Sequence, residues 1–119
     1  MTPGVVRFSS GAVVDVEILS EPDEMARGLM GRTELPESSG ALFWFGKSAD
    51  HPFWMKNTRI PLDLLFLDRE RVVGILTLNP FDERLHSIQR NSSLVLEVNG
   101  GWAARHQVRV GERVQISMT

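Results

Sequence analysis

"LDLLFLDRERVVGILTL", Leu62 to Leu78, holds two apolar runs separated by four charged residues. Leu62–Leu67 and Val72–Leu78 have strand length, and Asp68-Arg69-Glu70-Arg71 is a polar link of hairpin length. Working outward, alternation recurs and helical periodicity is scarce. "VVRF" and "AVVDVEIL" flank "SSG". The second of these puts Val14, Val16 and Ile18 on one face and Asp15 and Glu17 on the other, a hairpin with one wet face. "ALFWF", Ala41 to Phe45, lies between glycines and is apolar on both faces, which predicts a central or core strand. "SLVLEV" and "RVQISM" supply two further strands.

Two helices interrupt this pattern. In "SEPDEMARGLMGR", Ser20 is positioned as N-cap, with Asp23 at the capping-box offset and Pro22 in the first turn. Met25 and Leu29 share a face with Met30 beside them, and Gly31 is placed to end the helix in a left-handed conformation. Gly28 then falls mid-helix, where glycine costs about 1 kcal/mol relative to alanine unless something must approach closely. A second short helix is expected at "NGGWAARH". "NPFDERLHSIQRNSS", Asn79 to Ser93, has no clear period and reads as either a functional lid or a mobile connection. These elements predict a mainly β (α+β) fold: one β-rich domain over residues 1–119, a compact β-sandwich or barrel with two short helices.

Composition narrows the function classes. A chain of 119 residues supports one core and not two. With 42% hydrophobic and 24% charged residues its make-up is ordinary for a globular domain. A formal charge of −2 lacks the basic footprint expected for nucleic-acid binding. No run approaches membrane-spanning length, so membrane insertion is not expected. "MTPGVVRFSS" has neither a basic n-region nor an apolar h-region, so a cytoplasmic location is expected if the chain is complete. Cysteine is absent, and His51, His86 and His106 have no ligand-like spacing. No metal and no cofactor are therefore expected.

"HPFWMKNTRIPLD", His51 to Asp63, carries the most suggestive chemistry. Read as an extended segment, it places Trp54, Lys56 and Thr58 on one side and Phe53, Met55 and Asn57 on the other. Pro61 moves it to an edge or bend. A ring beside a cation, with the donor and acceptor of Asn57, is how small-molecule sites are furnished. A strand end whose tryptophan caps the core, with Lys56 and Arg59 solvated, explains the same residues. Asp63 precedes an apolar run, where a carboxylate needs a partner such as Lys56, Arg59, Arg27 or Arg32, or a turn to cap. Glu97, in "LVLEVNGG", shares a face with Val95 and Asn99, either solvated or functional. Gly100-Gly101 before the second helix serves a tight turn or exposes N–H groups to an anion.

"RGLMGR", "FWMKNTRIPLDLLFLD", "VVGI" and "VLEVNGGWAARHQVRVGERV" together closely resemble the prokaryotic domain of unknown function 192 family, over roughly Val14 to Ile116. The family pattern matches at Arg27, Gly28, Leu29, Met30 and Arg32, at Phe53 to Thr58, at Pro61 to Asp63, and at Glu97, Gly101 and Gly111. The resemblance implies a compact β-rich sandwich or barrel with short helices and no established activity, substrate or cofactor. It departs at "NPFDERLHS", where the family commonly carries a cysteine, and at Gly100, where alanine is usual.

The polar set Arg27, Arg32, Lys56, Asn57, Asp63 and Glu97, with Trp54 and Thr58, is thus either a ligand site or an internal hydrogen-bond network. Three functions remain open. The first is a non-catalytic domain holding a small polar or anionic molecule, sugar or carboxylate-like, and it requires a concave pocket with Trp54 partly exposed. The second is a hydrolase or lyase using Asp63 and Glu97, which requires both carboxylates to face one cavity. The third is a structural or interaction module presenting Trp102 or a sheet edge.

Overall fold

The computed structural model describes residues 2–119. Seven strands, β1 (Thr2–Phe8), β2 (Val13–Leu19), β3 (Ser39–Ala49), β4 (Leu62–Asp68), β5 (Arg71–Leu78), β6 (Ser92–Asn99) and β7 (Val114–Met118), form one sheet in the order β5-β4-β6-β3-β2-β1-β7. All pairings are antiparallel except β2 with β3. That parallel step needs a crossover, and the segment between the two strands supplies it together with helix α1 (Pro22–Arg27).

The sheet curls until its two edge strands approach each other. Arg71 of β5 bridges Arg113 just before β7, and the amides of Val72 and Val114 donate to the carbonyls of Glu112 and Glu70. The result is a strongly curled half-barrel whose edge strands are tied at one point. Its interior cluster draws on all seven strands: Val6, Val14, Leu42, Leu65, Val72, Leu96 and Val114 each contribute. Helix α2 (Trp102–Arg105) adds Trp102 and Ala103 to that cluster. Trp102 is buried against Phe8 and His106, so it is not the exposed contact expected of an interaction module.

A second cluster lies on the outer face of β3, β4 and β6, through Ala41, Phe43, Leu62, Leu64, Phe66 and Val95. Period-two alternation makes this inevitable for β4: Leu62, Leu64 and Phe66 point outward, while Leu65 and Leu67 point inward. The outer cluster is roofed by Leu29 after α1 and by Phe53, Met55 and Ile60 of the segment before β4, with Ile88 from the connection before β6. No described helix is long and apolar enough to cross a membrane.

Several expectations shift in detail. The α1 cap is Glu21 and not Ser20, with Glu24 completing the capping box. The helix stops at Arg27, so Gly28 is its C-cap and not a mid-helix residue. Gly28 has φ +48° and ψ −126°, a backbone that favours glycine. The predicted strand at Phe53–Thr58 is instead a turn-containing roof segment. Asn57 has φ +56°, which breaks the alternation expected of a strand. Thr58 is buried, whereas Trp54 is exposed. The segment is pinned by paired amides between Phe53 and His86, and by donation from Met55 to Asp82 and from Phe81 to Thr58. The connection from Asn79 is therefore stitched to the roof, and its Ser92 and Ser93 already belong to β6.

Candidate functional site

Between roof and sheet lies a cavity of about 290 Å³, at the small end of the range for ligand pockets. One wall is α1 and its end, from Met25 to Met30; the sheet contributes Phe43, Phe45 and Glu97. Pro52, Phe53, Trp54 and Thr58 come from the roof, and Leu85 from the connection stitched to it. The phenylalanines pack on one another before they meet any guest. Phe53 stands nearly perpendicular to Phe43 (88°) and to Phe45 (78°), with centroids 5.1 and 6.1 Å away. Such edge-to-face contacts fix the rings and offer both faces and edges to the space between them. His51 stacks on Phe45 at 3.7 Å, behind that wall.

Glu97 is the unusual member of this lining. It sits in β6 between Ala41 of β3 and Leu64 of β4, and is only 5% exposed. No hydrogen bond or ion pair reaches its carboxyl among the described residues. Burial alone pushes its pKa up to about 8, so near neutrality the group is held as the protonated acid. Its sequence neighbours gave a solvated outer face as the simpler reading, but the roof buries that face. Gly28 keeps the carboxyl accessible: a Cβ there would stand 3.1 Å from the Phe43 ring and 3.7 Å from Glu97 Oε1.

The rest of the expected polar set divides by location. Arg27 lines the cavity from an exposed position, and Thr58 lines it while its hydroxyl donates to the Lys56 carbonyl at 3.3 Å. Trp54 is 42% exposed, as a pocket wall requires and a core cap does not. Lys56 does not line the cavity; its ammonium lies 5.2 Å from the Trp54 ring centroid, a cation–π contact that steadies the indole. Asn57 acts through its backbone, accepting from the Gly31 amide at 2.9 Å and tying the roof to the end of α1. Arg32 lies 3.8 Å from Glu17, both half-exposed, beside a neighbouring groove.

Asp63 is elsewhere altogether. Its cross-strand partner is Val98, so it points to the barrel interior while Glu97 points outward. Its carboxylate accepts from Thr77 Oγ1 at 2.7 Å and from the amides of Gly101 and Ala103, each at 2.9 Å. Two features that looked separate in the sequence, a costly carboxylate and a glycine turn with free N–H groups, answer each other. The anion at the α2 entry is Asp63 itself. The two carboxylates on opposite faces do not assemble into the acid–base pair of a hydrolase or lyase.

The barrel order and the Gly28–Glu97–Trp54 constellation can be set beside known proteins. The DUF192 family profile, described as uncharacterized ACR, matches residues 5–116, nearly the whole chain. The chain belongs to the DUF192 family. Among solved structures, a protein of unknown function from Novosphingobium aromaticivorans DSM 12444 is similar at 38% identity and TM-score 0.87, covering 95% of this chain and 83% of that one. A protein from Sinorhizobium meliloti 1021, named as a candidate transcription regulator, is similar at 30% identity and TM-score 0.87, with 96% and 92% covered. No curated protein matches. The fold is thus shared closely with both of these proteins.

Sequence reasoning reached Arg27, Trp54, Thr58 and Glu97 of this DUF192 cavity but missed Phe43, Phe45 and Leu85. The two phenylalanines lie in "ALFWF", where an apolar run gives no sign of which rings face a void. Only the folded register, Ala41 against Glu97, places Phe43 one cross-strand diagonal from that acid.

Proposed function

We propose that this protein is a non-catalytic binding domain that holds a small polar molecule in the cavity between roof and sheet. One observation carries the reading: Glu97, a residue 5% exposed whose carboxyl has no partner among the described residues, opens on a cavity walled by aromatic rings. A buried polar group left unpaired costs about 1–3 kcal/mol, and a ligand atom that pairs with it removes that cost. Trp54 and the phenylalanines supply the apolar contact that drives entry, and Glu97 supplies orientation. Arg27, exposed at the same cavity, is available to a carboxylate or hydroxyl at the outer end of a ligand. Within the expected binding set, Trp54, Glu97, Arg27 and Thr58 form this site; Lys56 and Asn57 support its wall.

Thermal-shift screening against small polar metabolites and sugars tests the proposal, because a ligand that binds only the native state raises its stability. A genuine occupant raises the melting temperature of the wild type and fails to do so in Trp54→Ala and Glu97→Gln. Trp54 is sufficiently exposed for its truncation to leave the fold intact. A hit that survives both substitutions would place binding elsewhere and overturn the proposal.

A further inference from the structure

We infer that the occupant of the cavity is a small organic ammonium, seated among the aromatic rings with its cation against the Glu97 carboxylate. This rests on the reading of the cavity as a binding site and adds the chemical class. Three features select it. The walls are Phe43, Phe45, Phe53 and Trp54, whose π faces attract cations. Trp54 already holds one alkylammonium, that of Lys56, at 5.2 Å. The only carboxyl in the lining, Glu97, receives no donor among the described residues, so none of them is arranged to solvate its charged form. A neutral hydroxyl supplies one donor and leaves the acid protonated. An ammonium supplies the missing charge, and a buried ion pair needs that complement to be tolerated.

The charged and titratable groups facing Glu97 are few. From α1, Arg27 lies in the lining at an exposed position. β3 and β4 present Ala41, Phe43, Phe45 and Leu64, none of them titratable. The roof presents Pro52, Phe53, Trp54 and Thr58, and the connection stitched to it presents Leu85. Ammonium binding therefore draws on the ionised form of one acid, and Glu97 releases its proton to solvent as the cation enters. Affinity rises with pH until Glu97 is ionised in the free protein, and then levels.

Trimethylammonium and tert-butanol make a comparable pair, since each carries three methyl groups and one donor and they differ in charge. Their affinities are measured by calorimetry at about pH 6 and about pH 8.5, in buffers of different ionisation enthalpy, on wild type, Glu97→Gln and Trp54→Ala. Trimethylammonium is expected to bind wild type at the higher pH at least about tenfold more tightly than tert-butanol. It should weaken by roughly tenfold per pH unit below the Glu97 midpoint, with proton release, as single-site linkage requires. Glu97→Gln should abolish the preference for the cation, and Trp54→Ala should weaken it. If tert-butanol binds wild type as well as the ammonium does, and loses affinity in Trp54→Ala, the cavity reading stands and the ammonium inference falls. If neither probe binds wild type, the ammonium inference falls, while the cavity reading is decided by the metabolite screen.

Discussion

Two carboxylates in adjacent strands, each beside apolar residues, meet opposite environments. Asp63 receives a hydroxyl and two amides, and is a cap for the α2 turn. Asp63→Ala leaves two buried or half-buried N–H groups without an acceptor, and is expected to lower stability by about 3 kcal/mol or more in urea unfolding. Asp63→Asn should be milder, retaining one acceptor oxygen while turning a donor toward an amide. Glu97 behaves in the reverse sense. Its folded pKa of about 8 lies above the usual 4.5, so below that usual value both states hold the proton and the stabilising contribution is complete. As pH rises the unfolded state ionises first, and stability is lost progressively up to about 8, then levels. The loss across that window is on the order of a few kcal/mol. Glu97→Gln, isosteric with the protonated acid, should flatten the profile there; a variant whose stability falls as steeply as the wild type between those limits would refute the assignment. That both acids were special was legible in the sequence, because each interrupts an apolar run. Which one faced a void was not, since it depends on the roof laid over one face of the sheet.

At the scale of elements, α1, the roof segment and the connection from Asn79 form one cover, joined by Gly31 to Asn57 and by Phe53 to His86. Asp82 knots the connection: Arg84 first, and then His86, hold its carboxyl well below the usual carboxylate range. Gly28 is a close approach between cover and sheet, where a Cβ would stand 3.1 Å from the Phe43 ring. Gly28→Ala should cost about 1–3 kcal/mol through its positive φ and weaken ligand binding, both read by thermal shift with and without ligand. Unchanged stability would show that the backbone there relaxes freely. The strands were legible because alternation is local: the β1–β2 and β4–β5 hairpins and the central β3 all form as the pattern predicts. The roof was misread as a strand because Phe53, Met55 and Asn57 alternate convincingly up to the point where Asn57 turns left-handed. Asparagine tolerates that conformation, but its identity alone does not require it.

For the whole molecule, two apolar clusters share β4 and β6, one enclosed by the barrel and one beneath the cover. Strands buried on both faces should open only with global unfolding, whereas the cover, outside the barrel ladder, should open at lower free energy. Hydrogen exchange is therefore expected to be slowest at Leu64–Phe66 and Val95–Val98. It should be faster by orders of magnitude at residues 53–60 and 80–90, with ligand slowing the second group. Uniform exchange across both would contradict a cover that moves separately from the barrel. The meeting of the two edge strands was beyond the sequence. Nothing in "RVVGILTL" or "VRVGERVQISM" announces that Arg71 and Arg113 meet, because edge strands far apart in the chain are joined by sheet curvature, which accumulates over every strand between them.

Among the described residues, Glu97 stands buried and without a partner on an open cavity. Carbon-13 NMR titration of its carboxyl, assigned by comparison with Glu97→Gln, tests this directly. A midpoint near 8 is the predicted result; a midpoint near 4.5 would mean a solvated or internally paired carboxylate, and the site described here would not exist.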